Sequence, residues 1–407
     1  MIAEPVHKGR IAVRYLALLA TPTSLSANST TTVIPDLARA LGVSAADATW
    51  AATAFGWGGV LGAPLTVALL RTRGIRAATL VNAALVLLGT LLVAGAPTLS
   101  MLLAGRAAQA AGGGGLITIA ITLAGTASRA GAVTAGVGLV GAFGPLAGST
   151  LSAISWRVPL LLSLPALLAV PAVLRHAPAA LCHAPAVPRH ALVRHRQAAA
   201  TRTDTIGILL VMTLVSAFVL IPRLELVAVA AAAVAGLLLT LHVRRTPAGF
   251  IPQPVVRTRA FVTAAAAACT LSTSYFALLY TVPRLLEHHW TTERIGLVTL
   301  IMLATGSIAS LLFTRRAAQL GPAVTRSVLP AAGATAVALA SVAPWPVLVA
   351  ASTAFAVFAT TAAMAWYATR AGAVVPQEHR ATAVSLFTLC YQLGGAFGPA
   401  LATLLLT

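Results

Sequence analysis

Apolar runs of about 20 residues, the length at which a helix crosses a bilayer core, follow one another along this chain with short polar or basic connections between them. Thirteen are predicted helices: 12 to 34, 47 to 70, 76 to 95, 99 to 124, 131 to 154, 157 to 174, 205 to 222, 225 to 242, 260 to 282, 295 to 314, 323 to 342, 346 to 367 and 382 to 406. Closed β-barrels also satisfy their backbone in lipid, but they need segments of about ten residues with alternating polarity. The pattern therefore predicts an all-α integral membrane protein with about 13 transmembrane helices. The first run is polar in its middle, with Thr21, Thr23, Ser24, Ser26, Asn28, Ser29, Thr30, Thr31 and Thr32. Such groups are expensive against lipid, so they are expected to face other helices or a wet cavity.

Composition supports this reading, since a chain 58% hydrophobic and 9% charged lacks the polar groups to cover a water-soluble surface. A net charge of +19 on a soluble domain would suggest nucleic-acid binding. Its distribution points elsewhere. When the connections are numbered alternately, starting inside, 21 of the 27 basic residues fall on the starting side. Arg39, Arg106, Arg157, Arg223, Arg284 and Arg294 are left for the other side or the outer halves of helices. This is the positive-inside bias, which predicts a cytoplasmic N-terminus, anionic lipid headgroups as the partner of the charge, and no nucleic acid. Arginine outnumbers lysine 26 to 1, a composition of high-GC genomes that suggests a bacterial cytoplasmic (inner) membrane. Cys182, Cys269 and Cys390 are too scattered for a disulfide framework or metal site, and the first run is too long for a cleavable signal.

The chain repeats itself. Gly-Ala-Phe-Gly-Pro occurs at Gly141 to Pro145 and again at Gly395 to Pro399, 254 residues on. The connection Leu70-Arg71-Thr72-Arg73-Gly74 has a counterpart around Arg315, Arg316 and Gly321 at an offset of 247. Two related bundles follow: an N-terminal one of six helices over 1–174 and a C-terminal one, with five helices recognised, over 260–407. Between them, 175–259 holds a Pro-, His- and Arg-rich cytoplasmic linker and a two-helix hairpin turning at Ile221 to Glu225. His176, His183, His190 and His195 sit in the linker; the first three, seven residues apart with prolines between them, are read as a degenerate repeat with no metal geometry.

Candidate transport residues lie inside the runs. Arg106 is placed well within the fourth, where an ionisable group is a functional candidate by default, and Gln109 is one turn on along the same face. Substrate-cavity candidates are Ser26, Asn28 and Thr30 in the first half, and Ser272, Ser274, Tyr275, Tyr391 and Gln392 in the second, with Thr273, Tyr280, Trp57, Trp366 and Tyr367 as further amphipathic side chains. Gly136, Gly138, Gly141, Gly144, Pro145 and Gly148 crowd the fifth run, allowing close packing, a kink or both. Gly58, Gly62 and the run Gly112 to Gly115 are read as packing residues. The eight acids, Glu4, Asp36, Asp47, Asp204, Glu225, Glu287, Glu293 and Glu378, all fall in termini, loops or helix ends. A cationic substrate is thus disfavoured, and Asp36, with Arg106, is the nearest candidate for coupling to protons. No cluster of nucleophiles, acids or metal ligands suggests an enzyme; Glu287, His288, His289 and Glu293 are read as solvated loop residues.

Together these residues resemble the Major Facilitator Superfamily, and in particular its fourteen-helix drug:proton antiporter branch. Gly141-Ala-Phe-Gly-Pro145-Leu-Ala-Gly148 is similar to that branch's fifth-helix antiporter motif, with Gly395, Gly398 and Pro399 as its echo. Arg106, Gln109 and Gly113 match the fourth-helix motif, whose buried arginine is implicated in proton transfer, and Gly74 and Arg76 match the end of a loop motif that stabilises one conformation. Three departures stand out. Arg71 occupies the loop motif's aspartate position, so its usual salt bridge cannot form; Ser26 replaces a common first-helix aspartate, ahead of a matching Pro35; and the chain stops after the thirteenth run. The resemblance implies a monomeric secondary transporter without a cofactor, exporting a small amphipathic neutral or weakly anionic compound such as an antibiotic or secondary metabolite, with possible proton coupling. An importer or uncoupled facilitator, and a non-transporting sensor or scaffold, are the alternatives.

Overall fold

The structure, a computed structural model, describes residues 11–124, 127–176, 204–246, 249–341, 345–375 and 380–405, and every regular element among them is helical. The linker residues His183, His190, His195 and Cys182, with Glu4 and Glu378, lie outside the described residues, as does the side chain of Arg71. Eight helical stretches are long and apolar enough to cross a membrane. Shorter apolar helices account for four more of the thirteen runs: Gly136–Leu151, Thr205–Ile221, Ser327–Ala340 and Leu386–Ala402. The remaining run, α1 (Val13–Leu41), has the polar middle described above.

Several runs end differently from the sequence expectation. The second and third share one helical assignment, α2 (Ala45–Ala94), broken only at Gly74, whose φ of 76° is left-handed and suits a residue without Cβ. After α3 (Leu99–Ala124), the fifth run divides at Phe143 into α4 (Ala127–Ala142) and α5 (Gly144–Leu151), because Pro145 cannot donate to the preceding turn. The sixth is mostly 3-10 helix, Val158–Leu161 and Leu164–Ala169, before a short α6 (Val170–His176); Pro159, Pro165 and Pro171 deny it a regular α ladder. The insert hairpin is α7 (Thr205–Arg245), turned at Glu225 with φ 40°. A short α8 (Gln253–Arg257) leads to α9 (Arg259–Glu287). Next come α10 (Thr292–Ala340), holding the tenth and eleventh runs, then α11 (Pro346–Ala373) and α12 (Arg380–Leu405).

The core is fused at one end of the molecule and divided at the other. One cluster joins Val33, Ile34, Leu37, Ala48 and Leu160 to Leu278, Leu279, Val282, Ile295 and Val349, so helices from both halves share it. These residues lie near helix ends at 41–45, 157–160, 286–295 and 346–350, which define the closed end. Toward the opposite ends there are two clusters. One, including Leu16, Ile75, Leu116 and Val173, draws its buried members from residues 11–173; the other, including Phe261, Leu329, Ala363 and Phe387, draws them from 255–387. Between helices in lipid, such packing is held by van der Waals contact and interhelical hydrogen bonds. The two halves are therefore tied at the closed end and packed separately at the other.

Candidate functional site

The site starts from a missing hydrogen bond. Pro145 has no N–H, so the carbonyl of Gly141, four residues earlier, loses its helical donor. Asn28 of α1 supplies one: its Nδ2 donates to Gly141 O at 2.9 Å. One turn along, Thr32 Oγ1 donates to Pro145 O at 2.9 Å, and Ser24 Oγ donates to Val137 O at 2.8 Å. The approach is possible only because position 144 is glycine, where a Cβ would sit 2.5 Å from Asn28 Cβ and 2.8 Å from Ser29 N. The repeat preserves this packing. A Cβ at Gly398 would lie 2.4 Å from Phe276 Cβ and 2.7 Å from Ala277 N, which makes Phe276 the counterpart of Asn28.

Against the other side of α1 lies Arg106, on α3 and fully buried. Its Nη1 donates to Ser26 Oγ at 3.0 Å and Gln109 Oε1 at 3.1 Å; its Nη2 donates to Thr30 Oγ1 at 2.7 Å and Ser26 O at 3.2 Å. The guanidinium stacks 4.1 Å from the centroid of Phe55. Gln109, also fully buried, passes the network on, donating to Thr90 Oγ1 and Leu160 O, both at 3.1 Å. Leu160 O also accepts from Ser26 Oγ, and Pro159 O accepts from Ser29 Oγ. The 3-10 segment thus offers its carbonyls to α1 and α3. Among the described residues Arg106 has no carboxylate partner, so it is solvated by neutral dipoles and a π face. A buried charge of this kind is costly without such groups.

The second half faces this centre with aromatic rather than charged groups. Tyr280, buried on α9, hydrogen-bonds through its hydroxyl to Ala27 O at 3.3 Å and lies within electrostatic reach of Arg106. Tyr275, on the same helix, lies near both Tyr280 and Tyr391 of α12. Among the described residues, Ser272 Oγ and Gln392 Oε1 are buried with no hydrogen-bond partner, leaving polar capacity beside the Gly394 contact. At the closed end Arg284 crosses between halves, donating from Nη2 to Ala45 O at 2.7 Å.

The structure brings Ser26, Thr30, Arg106 and Gln109 into one network and places Asn28 next to it, against the kink. Ser272, Tyr275, Tyr391 and Gln392 belong to the facing half, while Ser274 is half-buried. Asp36 is elsewhere: it pairs with Arg39 and opens onto a surface cavity of about 400 Å3 with Ser152, Ser155 and Trp156. Trp57 points to the insert rather than to Arg106, donating to Ser216 Oγ at 2.8 Å. Arg76 is exposed at the break beside Gly74. Sequence reasoning missed Phe55, Thr90, Leu160 and Arg284. The first three are unremarkable members of apolar runs, and Arg284, assigned to the outer side, gave no sign of its burial.

A shell of apolar helices around a buried polar centre, fused at one end and divided at the other, is the architecture of a multi-pass membrane transporter. The model of the Major Facilitator Superfamily matches residues 16–399, and the chain belongs to that family. No curated protein matches it. Among solved structures, a POT family transporter in complex with a thioalcohol-conjugated peptide is similar at 13% identity, TM-score 0.66, covering 97% of this chain and 90% of that one. A bacterial homolog of the human lysosomal transporter Spinster, in an inward-facing and occupied conformation, is similar at 16% identity, TM-score 0.62, covering 96% and 80%. A D-xylose-proton symporter is similar at 15% identity, TM-score 0.57, covering 96% and 90%. At these identities the likeness is one of fold.

Proposed function

We propose that this protein is a secondary transporter that exports a small amphipathic, neutral or weakly anionic compound, such as an antibiotic or secondary metabolite, by alternating access. The bundles are 1–174 and 260–407, with 175–259 inserted between them. The observation that carries this reading is the buried Arg106, cationic and unneutralised by any described carboxylate, held within the first half of a molecule whose largest shared core lies at one end. Its field disfavours a cation nearby and favours a dipole or an anion. The basic bias of the connections supports a cytoplasmic N-terminus in an inner membrane, which makes the closed end external and the present arrangement inward-facing. Export rests on the similarity of Gly141 to Gly148 to the antiporter motif; the kink built there, with its Asn28 and Thr32 contacts, is a hinge suited to rocking. Arg106, with Asp36 at the closed end, is the coupling candidate if protons drive the cycle.

The second reading, an importer or uncoupled facilitator, is favoured by the neutrality of every hydrogen-bond partner of Arg106, since proton relays generally include an acid. Reconstituted protein loaded with candidate compounds, with flux followed in both directions under imposed pH gradients, decides between them. Export that accelerates when the receiving side is acidic is the expected result, and flux indifferent to the gradient eliminates antiport. A non-transporting sensor or scaffold would show no flux for any compound, and Arg106→Ala would leave its behaviour unchanged.

A further inference from the structure

The alternating-access reading leaves the insert hairpin without a role, yet the hairpin is bound to both halves. Its two ends are clasped together on the side away from the closed end. Asp204 caps α7, accepting from Gly207 N at 2.8 Å through Oδ1, which also meets His242 Nε2 at 2.7 Å. Its Oδ2 accepts from Phe250 N at 2.9 Å, so the same carboxylate ties the hairpin to the chain entering α8 and α9. Position 249 must be glycine for this, because a Cβ there would lie 2.4 Å from Asp204 Oδ2.

From that anchor, the first arm of α7 runs up the seam between α2 of the first half and α12 of the second. Val215 and Val219 are buried in one cluster with Trp50 and Val60 of α2 and Ala396 of α12. Phe218 meets Phe397 edge-on, with ring centroids 5.9 Å apart. On the α2 side Trp57 Nε1 donates to Ser216 Oγ at 2.8 Å. Near the turn of the hairpin Arg223 pairs with Asp47, at the start of α2, and stacks 4.9 Å from the ring centroid of Trp50. Beneath the arm α2 and α12 nearly touch, since a Cβ at Gly56 would lie 2.1 Å from Gly395 O.

We propose that α7 is a conformational strap: clasped through Asp204 and Phe250 to the segment that enters the second half, and packed on α12 through Phe218, it grips α2 through Trp57 with Ser216 and Asp47 with Arg223, and so favours the arrangement closed at the Asp47 end. Rotation of one half against the other displaces α2 relative to α12, and an arm seated on both cannot keep both sets of contacts. The grip on α2 is the weaker: beside the apolar contact with Trp50 and Val60, it rests on one hydrogen bond and one half-exposed ion pair, and it is the one released. The arrangement without these contacts therefore gains population when they are removed. This inference rests on the alternating-access reading.

The test places spin labels at positions 39 and 289, both exposed at the closed end, in full-length protein whose three native cysteines are replaced. Distances across that end are then measured in lipid nanodiscs. In Trp57→Phe with Asp47→Asn the longer-distance population is expected to rise about fivefold or more, as loss of two modest polar contacts implies. The swap Asp47→Arg with Arg223→Asp is expected to return most of the shorter-distance population. Arg284→Ala, which removes a contact between the halves themselves, serves as the reference. If Arg284→Ala lengthens the distance while the Trp57 and Asp47 variant, monodisperse and helical, does not, the strap is overturned and alternating access stands. If neither variant alters a single fixed distance, the two-state reading fails and takes the strap with it.

Discussion

The two copies of Gly-Ala-Phe-Gly-Pro meet their neighbours through the same backbone approach and fill the surrounding space with opposite chemistry. In the first half, Gly144 lets α1 close on the kink, and Asn28 and Thr32 satisfy carbonyls there. In the second half, Gly398 admits α9 equally closely, but Phe276 stands where Asn28 would be. The first half continues this polarity inward to Arg106, Gln109 and Thr90, whereas the second presents Tyr275, Tyr280 and Tyr391, with Ser272 Oγ and Gln392 Oε1 lacking hydrogen-bond partners among the described residues. Close approach is thus the shared requirement of the repeat, since a kinked helix must still pack without voids. The polar filling is free to diverge, giving one charged wall and one neutral, aromatic wall.

The largest effect on that comparison is expected from Arg106→Met. Removing the charge of the first wall should lower transport by at least about tenfold, if substrate or proton handling depends on it. Thermal stability in detergent should change far less, because relief of the guanidinium's desolvation offsets the loss of its hydrogen bonds to Ser26 O and Gln109 Oε1. A scaffold would not separate flux from melting in this way. Next, Gly144→Val and Gly398→Val should each destabilise by about 1–3 kcal/mol, through overpacking against α1 and α9 respectively. Chemical unfolding of both would break the equivalence if only one lost stability.

Asn28→Leu comes third. It leaves Gly141 O without a donor, a loss of about 1–3 kcal/mol, whereas Phe276→Leu shortens an apolar contact and should lose less. Equal losses would mean that the Asn28 amide contributes only packing. The smallest effect concerns the second half's anchor. Burial raises the Asp204 pKa, but hydrogen bonds from Phe250 N, Gly207 N and His242, with the imidazole's charge, outweigh it and hold the carboxyl below its usual value. A carboxylate depressed in the folded state contributes stability above its unfolded value, about 3.9, and loses it as pH falls through the folded value. Asp204→Asn should therefore lower the melting temperature at pH 7 and flatten the acid limb below about pH 4. The first wall, built from neutral groups around an arginine, should not respond in that range.

Most of the architecture was legible because it depends on quantities summed along the chain. Every one of the thirteen runs proved helical, since a run of apolar side chains in lipid has no other way to satisfy its own backbone. Their boundaries were less legible. The break at Phe143 follows from Pro145, and the 3-10 character of 158–169 follows from prolines that the apolar pattern does not register. For the site, Arg106 and Gln109 were visible because a charge within an apolar run is conspicuous. Thr90, Phe55 and the Leu160 carbonyl were not, because each matters only through the direction from which another helix presents it.

By itself, then, the sequence determined the helical membrane class, the number of runs, the basic asymmetry of the connections and the internal repeat. All of these are local or periodic, set by transfer of side chains and backbone between water and lipid. Tertiary structure alone decided that Asn28 serves the carbonyl freed by Pro145, that Ser26 and Thr30 face Arg106, that Asp36 does not, and that α7 lies across the α2 and α12 seam. Those outcomes depend on the rotation of each helix about its axis and on contacts between residues more than 75 positions apart, such as Arg106 with Ser26 at a separation of 80. No pattern read along the chain contains that information.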